Sequence, residues 1–175
     1  PVSLLFHKPA GLDMEAFLDR EGLTLDNHWV SGATKTELRK KHFRSQLALL
    51  PLETQASGLV LLSQDPRIIR KVAMDAERIE QEFSVEINRL LTQIEIRTLQ
   101  TGTTRAHSPL KYKVSWQNET HLRFAIKGAE PGQIAHLCSL VQVEVLSLKR
   151  LRLGRIPLSS LPIGYWRYAA QWERI

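Results

Sequence analysis

Pro51-Leu52-Glu53-Thr54-Gln55-Ala56-Ser57-Gly58-Leu59-Val60-Leu61-Leu62-Ser63 is the stretch on which the reading of this chain turns. Its second half, Ser57–Ser63, is a short run of branched apolar residues between small polar ones. That pattern predicts a strand buried on both faces. Its first half has no apolar period and carries a single carboxylate, Glu53, just ahead of the strand. A loop carboxylate is ordinarily a solvated one, so Glu53 alone assigns no chemistry.

Outward from this strand the elements alternate in kind. Asp65-Pro66 starts a helix, with Asp65 as N-cap and Pro66 at its first position, and Ile68, Ile69, Val72 and Ala76 form its apolar face. Phe83, Val85 and Ile87 alternate as in a strand. Thr92 with Glu95 forms a capping box for a second helix that Gly102 can close. Leu110–Trp116 and Leu122–Ile126 form a hairpin. Ile134, Leu137, Cys138 and Val141 share a helical face within 131–141, and 143–156 is a long extended segment laced with cations. On the other side, Val2–Phe6 is a buried strand, 13–20 a brief helix, and 21–46 a weakly patterned, polar excursion. Strands dominate with helices between them, so the class is α+β.

The 175 residues fit one domain, and no apolar run approaches the ~18 residues that span a bilayer. One cysteine, Cys138, excludes an internal disulfide and a cysteine-based zinc cluster, and its place on an apolar helical face makes it packing rather than chemistry. The six histidines show no metal-ligand spacing, and no phosphate-binding glycine loop or nucleophile elbow is present. Net charge is +6. The cations concentrate in two places: Lys35, Arg39, Lys40, Lys41 and Arg44, and Lys149, Arg150, Arg152 and Arg155. In an alternating strand Arg150 and Arg152 share one face and Leu151 and Leu153 the other. Such a row suits a phosphate backbone, and equally suits a solvated face that discourages edge pairing.

The order of several segments adds a family resemblance. Leu5-Phe6-His7-Lys8-Pro9-Ala10-Gly11 resembles the L-N-K-P-x-G opening of the bacterial ribosomal RNA pseudouridine synthases of the RsuA type. Pro51–Leu59 is similar to their R-L-D-x-x-T-x-G-L signature, and Glu80–Val85 to their E-K-x-Y-x-V. Gly132-Gln133-Ile134 resembles their R-Q-I-R-R-M. Lys149–Gly154 and Leu161–Arg167 are similar to their L-x-R-x-R-I and L-x-x-G-E-W-R close. The resemblance implies a mixed, mainly antiparallel sheet with flanking helices and a central RNA-binding cleft. It implies one catalytic domain over 1–175, or two sub-domains sharing one sheet. It also implies that the family's small N-terminal RNA-binding domain is not in this chain.

The resemblance further implies isomerisation of uridine to pseudouridine in structured RNA, with no metal and no organic cofactor. Glu53 takes the place of the catalytic aspartate and Phe83 that of the tyrosine beside the uracil. Lys8, Gln133, Lys149, Arg150 and Arg152 become RNA contacts. RNA, ribosomal RNA above all, is the expected partner; no membrane is expected, and the chain is expected to act as a cytoplasmic monomer. The departures fall on the chemistry. Glu53 adds a methylene, Pro51 replaces the arginine that orients the aspartate, Phe83 lacks the hydroxyl, and Ala135 and His136 replace two arginines. A misplacement of roughly an ångström can cost on the order of a hundredfold in rate. The alternatives are a catalytically silent RNA-binding relative using the same cleft, or an interaction protein whose basic surface meets an acidic one.

Overall fold

The computed structural model describes residues 1–20, 22–30, 36–101, 112–171, 173 and 175. Among them nine strands form one sheet: β1 (Ser3–Lys8), β2 (Leu47–Leu49), β3 (Ser57–Ser63), β4 (Glu80–Ile87), β5 (Tyr112–Trp116), β6 (His121–Lys127), β7 (Val145–Leu153), β8 (Ile156–Pro157) and β9 (Trp166–Tyr168). The order across the sheet is β5-β6-β4-β7-β3-β1-β9, with β2 on β3 and β8 on β7. Every pairing between these strands is antiparallel except β3 with β7. The helices are α1 (Met14–Arg20), α2 (Pro66–Asp75), α3 (Gln93–Thr101) and α4 (Gln133–Ser139). This is the α+β class that the residue pattern predicts, with the mixed, mainly antiparallel sheet that the resemblance implies.

The apolar pattern of β3 explains its central place. Leu59 and Leu61 pack with Val72 of α2, while Val60 and Leu62 pack with Met14 of α1 and with Trp166. Both faces of the strand are therefore covered, as its unbroken run of aliphatic residues requires. In the other half, Phe83, Val85, Ile87, Leu122, Phe124 and Ile126 line one face beneath α3 and α4. The predicted ends hold as well. Asp65 Oδ1 accepts from the Arg67 amide at 2.9 Å, and the Thr92–Glu95 box closes at 2.7 and 3.2 Å. Gly102, Leu110, Lys111 and Lys35 lie outside the described residues.

The excursion finds its use at the sheet edge. β9 is the last strand, and an exposed edge invites pairing with other chains. Residues 24–29 cover it: Trp166 N–H donates to Asn27 O at 2.9 Å and Trp29 N–H to Trp166 O at 2.7 Å. The indole Nε1 of Trp166, itself wholly buried, donates to Thr24 O and Asn27 Oδ1. The chain then makes a 3-10 turn at Lys40–Phe43 before entering β2.

The strand reading needs one correction. Along the β4–β7 ladder, Glu82 faces Arg152 but Phe83 faces Arg150, so β7 spends two residues where β4 spends one. Leu151 is the extra residue of a β-bulge, and a bulge inverts the side-chain alternation beyond it. Neighbours on β4 point to opposite faces. Arg150 and Arg152 therefore lie on opposite faces too, and there is no shared row of cations.

Candidate functional site

One rung of the sheet carries much of the conjectured site. Lys8 of β1 faces Gly58 of β3, Gly58 faces Arg150 of β7, and Arg150 faces Phe83 of β4. Gly58 makes the close β3–β7 approach possible. Its φ is +114°, and a Cβ there would sit 2.2 Å from the Arg150 carbonyl oxygen. Only glycine fits, because an L side chain would be both strained and in collision with main chain.

The loop ahead of β3 is clamped from within by two buried cations. Lys8 Nζ donates to Thr54 O at 2.7 Å, Ala56 O at 2.5 Å and Pro9 O at 3.1 Å. The Gly11 amide adds a bond to Thr54 O at 2.8 Å. Arg150 Nε donates to Leu59 O at 2.7 Å, and its Nη1 donates to Leu50 O at 2.8 Å and Gln81 Oε1 at 3.0 Å. Gln81 in turn donates to Ala129 O at 3.2 Å, joining this network to the segment that leads into α4. Both cations are fully buried, with the Nη2 of Arg150 unpartnered among the described residues. Burial pulls the Lys8 ammonium down to about 8, against the attraction of Glu53. Burial likewise works against the Arg150 charge while Glu53 favours it.

Glu53 itself rides on this clamped loop, half-buried. Its Oε1 accepts from the Gly132 amide at the head of α4, a long contact of 3.4 Å. No cationic side chain among the described residues makes an ion pair with it. Pro51 stands where the family pattern has an arginine, and Ala135, also at such a position, is exposed on α4. Beside the loop a cavity of about 180 Å³ opens between Pro51, Leu52, Thr54 and the start of α1 at Asp13 and Met14.

The remaining conjectured site residues divide. Phe83 is 4% exposed and belongs to the core cluster that includes Ala56 and Ile134. Gln133 spends its Oε1 on the Glu130 amide, closing the turn before α4. Lys149 is half-buried opposite Ser57 and near enough to His7 to help lower that imidazole, after the larger effect of burial. Arg152 is engaged by Glu80 at 2.6 Å and Glu82 at 2.8 Å, and also donates to Gly154 O. Lys8, Gly58, Arg150, Phe83 and Glu53 are thus brought together, whereas Arg152 is not.

The sequence reading missed Gln81. Its signal was present: a polar residue at an inward position of β4, in step with Phe83, Val85 and Ile87. Burial lifts the Cys138 thiol to about 12, which leaves it inert. No group of three or more His, Cys, Asp or Glu side chains among the described residues could hold a metal ion.

No protein-family model matches the chain. Among curated proteins, the dual-specificity RNA pseudouridine synthase RluF of Escherichia coli K12 is 26% identical over 117 residues, covering 66% of this chain and 40% of that protein. The RluF of Salmonella typhi matches over the same extent. The match thus spans well under half the length of these relatives. Among solved structures, a pseudouridylate synthase aligns over 97% of this chain and 70% of its own, with a TM-score of 0.70 at 16% identity. An H/ACA ribonucleoprotein bound to a substrate RNA containing 2'-deoxyuridine aligns over 89% of this chain and 48% of its own, with a TM-score of 0.56 at 12% identity. The structural likenesses establish the fold. With the ordered motifs beside them, the RluF relatives make the chain similar to the pseudouridine synthases of the RsuA type.

Proposed function

We propose that this chain is the catalytic module of an RNA pseudouridine synthase, acting on a uridine in structured, ribosomal RNA with Glu53 as its carboxylate. The observation that carries this reading is the clamped loop: two buried cations hold its main chain while Glu53 stays half-exposed above them. A carboxylate fixed in this way can meet a uridine turned out of its stack, an extrusion that costs a few kcal/mol. The carboxylate engages ribose or base while the glycosidic bond breaks, and the uracil rejoins through carbon. Lys8 and Arg150 lie near enough to Glu53 to feel its charge, without an ion pair to it among the described residues.

A second reading is a silent RNA binder on the same scaffold. It is favoured by the missing guanidinium beside Glu53 and the missing hydroxyl at Phe83. One experiment separates the two. Ribosomal RNA from cells lacking this protein is incubated with the full chain, and pseudouridine is mapped by carbodiimide modification. The enzyme reading expects a discrete modified site that Glu53→Gln abolishes. No pseudouridine above a no-protein control, from a sample that still binds the RNA, leaves the silent binder. Turnover that survives Glu53→Gln would move the chemistry to another carboxylate.

A further inference from the structure

Arg150 and Arg152 of β7 are not among the cations that the fold leaves available. Arg150 is spent on main-chain carbonyls and Arg152 on two glutamates. In the 3-10 turn and the residue that caps it, by contrast, Lys40, Lys41 and Arg44 are all exposed, and none has a carboxylate partner among the described residues. Arg39 beside them is paired with Glu37 at 2.6 Å.

The turn is also rigidly mounted. Its one buried residue, His42, places Nδ1 2.9 Å from the Tyr168 hydroxyl on β9. Gln46 donates to His42 O at 2.8 Å, and Gln64 donates to Lys41 O and Arg44 O at 3.0 Å each. The main chain is thereby held by three side-chain bonds, and the His42 ring by a fourth, while three cationic side chains project into solvent. Fixing the scaffold beforehand lowers the ordering cost of binding an anion. Neutral partners would gain nothing from three unpaired like charges; a polyanion would.

We infer that Lys40, Lys41 and Arg44 form a second contact for the phosphate backbone of RNA, separate from the Glu53 cleft. The inference rests on the reading of RNA as the ligand. Gln64 directly follows β3, so the turn lies at the opposite end of that strand from Ser57 and the clamped loop. Seven residues of strand cover about 20 Å at roughly 3.3 Å each. One RNA could bridge cleft and turn if it extended beyond about six nucleotides, at ~3.4 Å per step. The turn would then act as an affinity and register element for a structured substrate, without touching the reacting uridine.

The test compares the wild-type chain, the triple variant Lys40→Gln/Lys41→Gln/Arg44→Gln, and Lys149→Gln, each titrated against a structured ribosomal RNA fragment over a salt series. Losing three phosphate contacts should weaken binding by about tenfold near 0.1 M salt and flatten the slope of log K against log salt by about two, at roughly −0.7 per contact on single strands. Bound RNA should also shield Lys40 and Lys41 from acetylation, read by mass spectrometry. An unchanged affinity and slope in the triple variant, with binding weakened by Lys149→Gln, overturns this proposal and leaves the RNA reading standing. If the wild type binds no RNA and its lysines are shielded only by an acidic polypeptide such as poly-glutamate, both fail together.

Discussion

The two basic segments of this chain carry similar charge and put it to opposite uses. Along β7, a bulge turns Arg150 inward and Arg152 outward, and both are consumed by the fold. In the 39–44 turn, His42 and Phe43 go inward, and Lys40, Lys41 and Arg44 remain in water. A count of cations per segment therefore says little about where a polyanion can dock. What decides it is which donors the main chain and the carboxylates have already taken. The difference should appear as a division of labour: Arg150 and Arg152 govern stability, and turn cations govern binding.

The largest effect should come from Arg150. Arg150→Met keeps much of the volume but strips donors from Leu50 O, Leu59 O and Gln81 Oε1 in the interior. Each buried acceptor left without a partner costs about 1–3 kcal/mol, and relaxation recovers part of the sum, so a loss of about 4 kcal/mol is expected. Thermal unfolding should move down by about 12 °C, at roughly 3 °C per kcal/mol for a chain of this size. A shift below about 3 °C would mean that Arg150 is not a structural cation, and the contrast with the turn would collapse.

Lys8 sharpens the same contrast through pH. It titrates at about 8 in the fold, because burial penalises its charge. In the unfolded chain it titrates near 10.4. Between those values the unfolded chain holds a proton that the folded chain has released, so stability rises with pH across the window. Below pH 8 both states are protonated and the burial penalty acts in full. The gain from about pH 8 to 10.4 is on the order of 3 kcal/mol. Denaturant midpoints of the wild type and Lys8→Met over pH 7–10.5 isolate it. The difference between them should shift in favour of the wild type as pH rises, and a flat difference would remove the buried ammonium from the account.

Much of this was legible in the sequence, and the part that was not has a common cause. β3 reads as doubly buried because unbroken aliphatic runs have no other home in a soluble sheet, and the capping residues Asp65, Thr92 and Glu95 mark their helices through local hydrogen bonds. Glu53 was singled out only by its order among the motifs. The roles of Lys8 and Arg150 were not, since an arginine in an alternating strand looks the same whether its fork meets solvent or three oxygens. The bulge at Leu151 hid it further, because local sequence does not say which of two paired strands takes the extra residue. The bonds that Lys8 makes to Thr54 and Ala56, and Arg150 to Leu50, Leu59 and Gln81, join residues 46 to 100 positions apart.

Arg152 should give an intermediate effect. Its guanidinium joins Glu80 and Glu82, and Glu82 also meets Arg123 at 3.1 Å, making a small network on a partly exposed sheet face. Solvent screens such pairs, so Arg152→Gln is expected to cost about 1 kcal/mol at low salt and less at 1 M. A loss as large as that of Arg150→Met would mean that this face is covered by something the sheet alone does not provide.

The smallest effect on stability should belong to the turn, and there the contrast is most exposed to refutation. Lys40, Lys41 and Arg44 touch no carboxylate among the described residues, and their main chain is held by Gln64, Gln46 and His42 whatever the side chains are. Replacing all three by Gln removes mutual repulsion and breaks no bond, so unfolding free energy should stay within about 0.5 kcal/mol of wild type, the usual range for exposed sites. The repulsion it relieves also bears on His42. Burial lowers that imidazole first, and Lys41 and Arg39 lower it further while Glu37 opposes them. With Lys41 gone, the His42 pKa should rise, while burial, the larger cause, still holds it below the usual histidine value. Acid would then loosen the turn less, because stability falls on acidification only between the unfolded and the folded histidine values. NMR titration of the His42 ring in both proteins reads the shift directly. A triple variant that unfolds more easily would show that these cations serve the fold after all, as Arg150 and Arg152 do; a His42 pKa that does not move would show that Lys41 exerts no field on the buried ring.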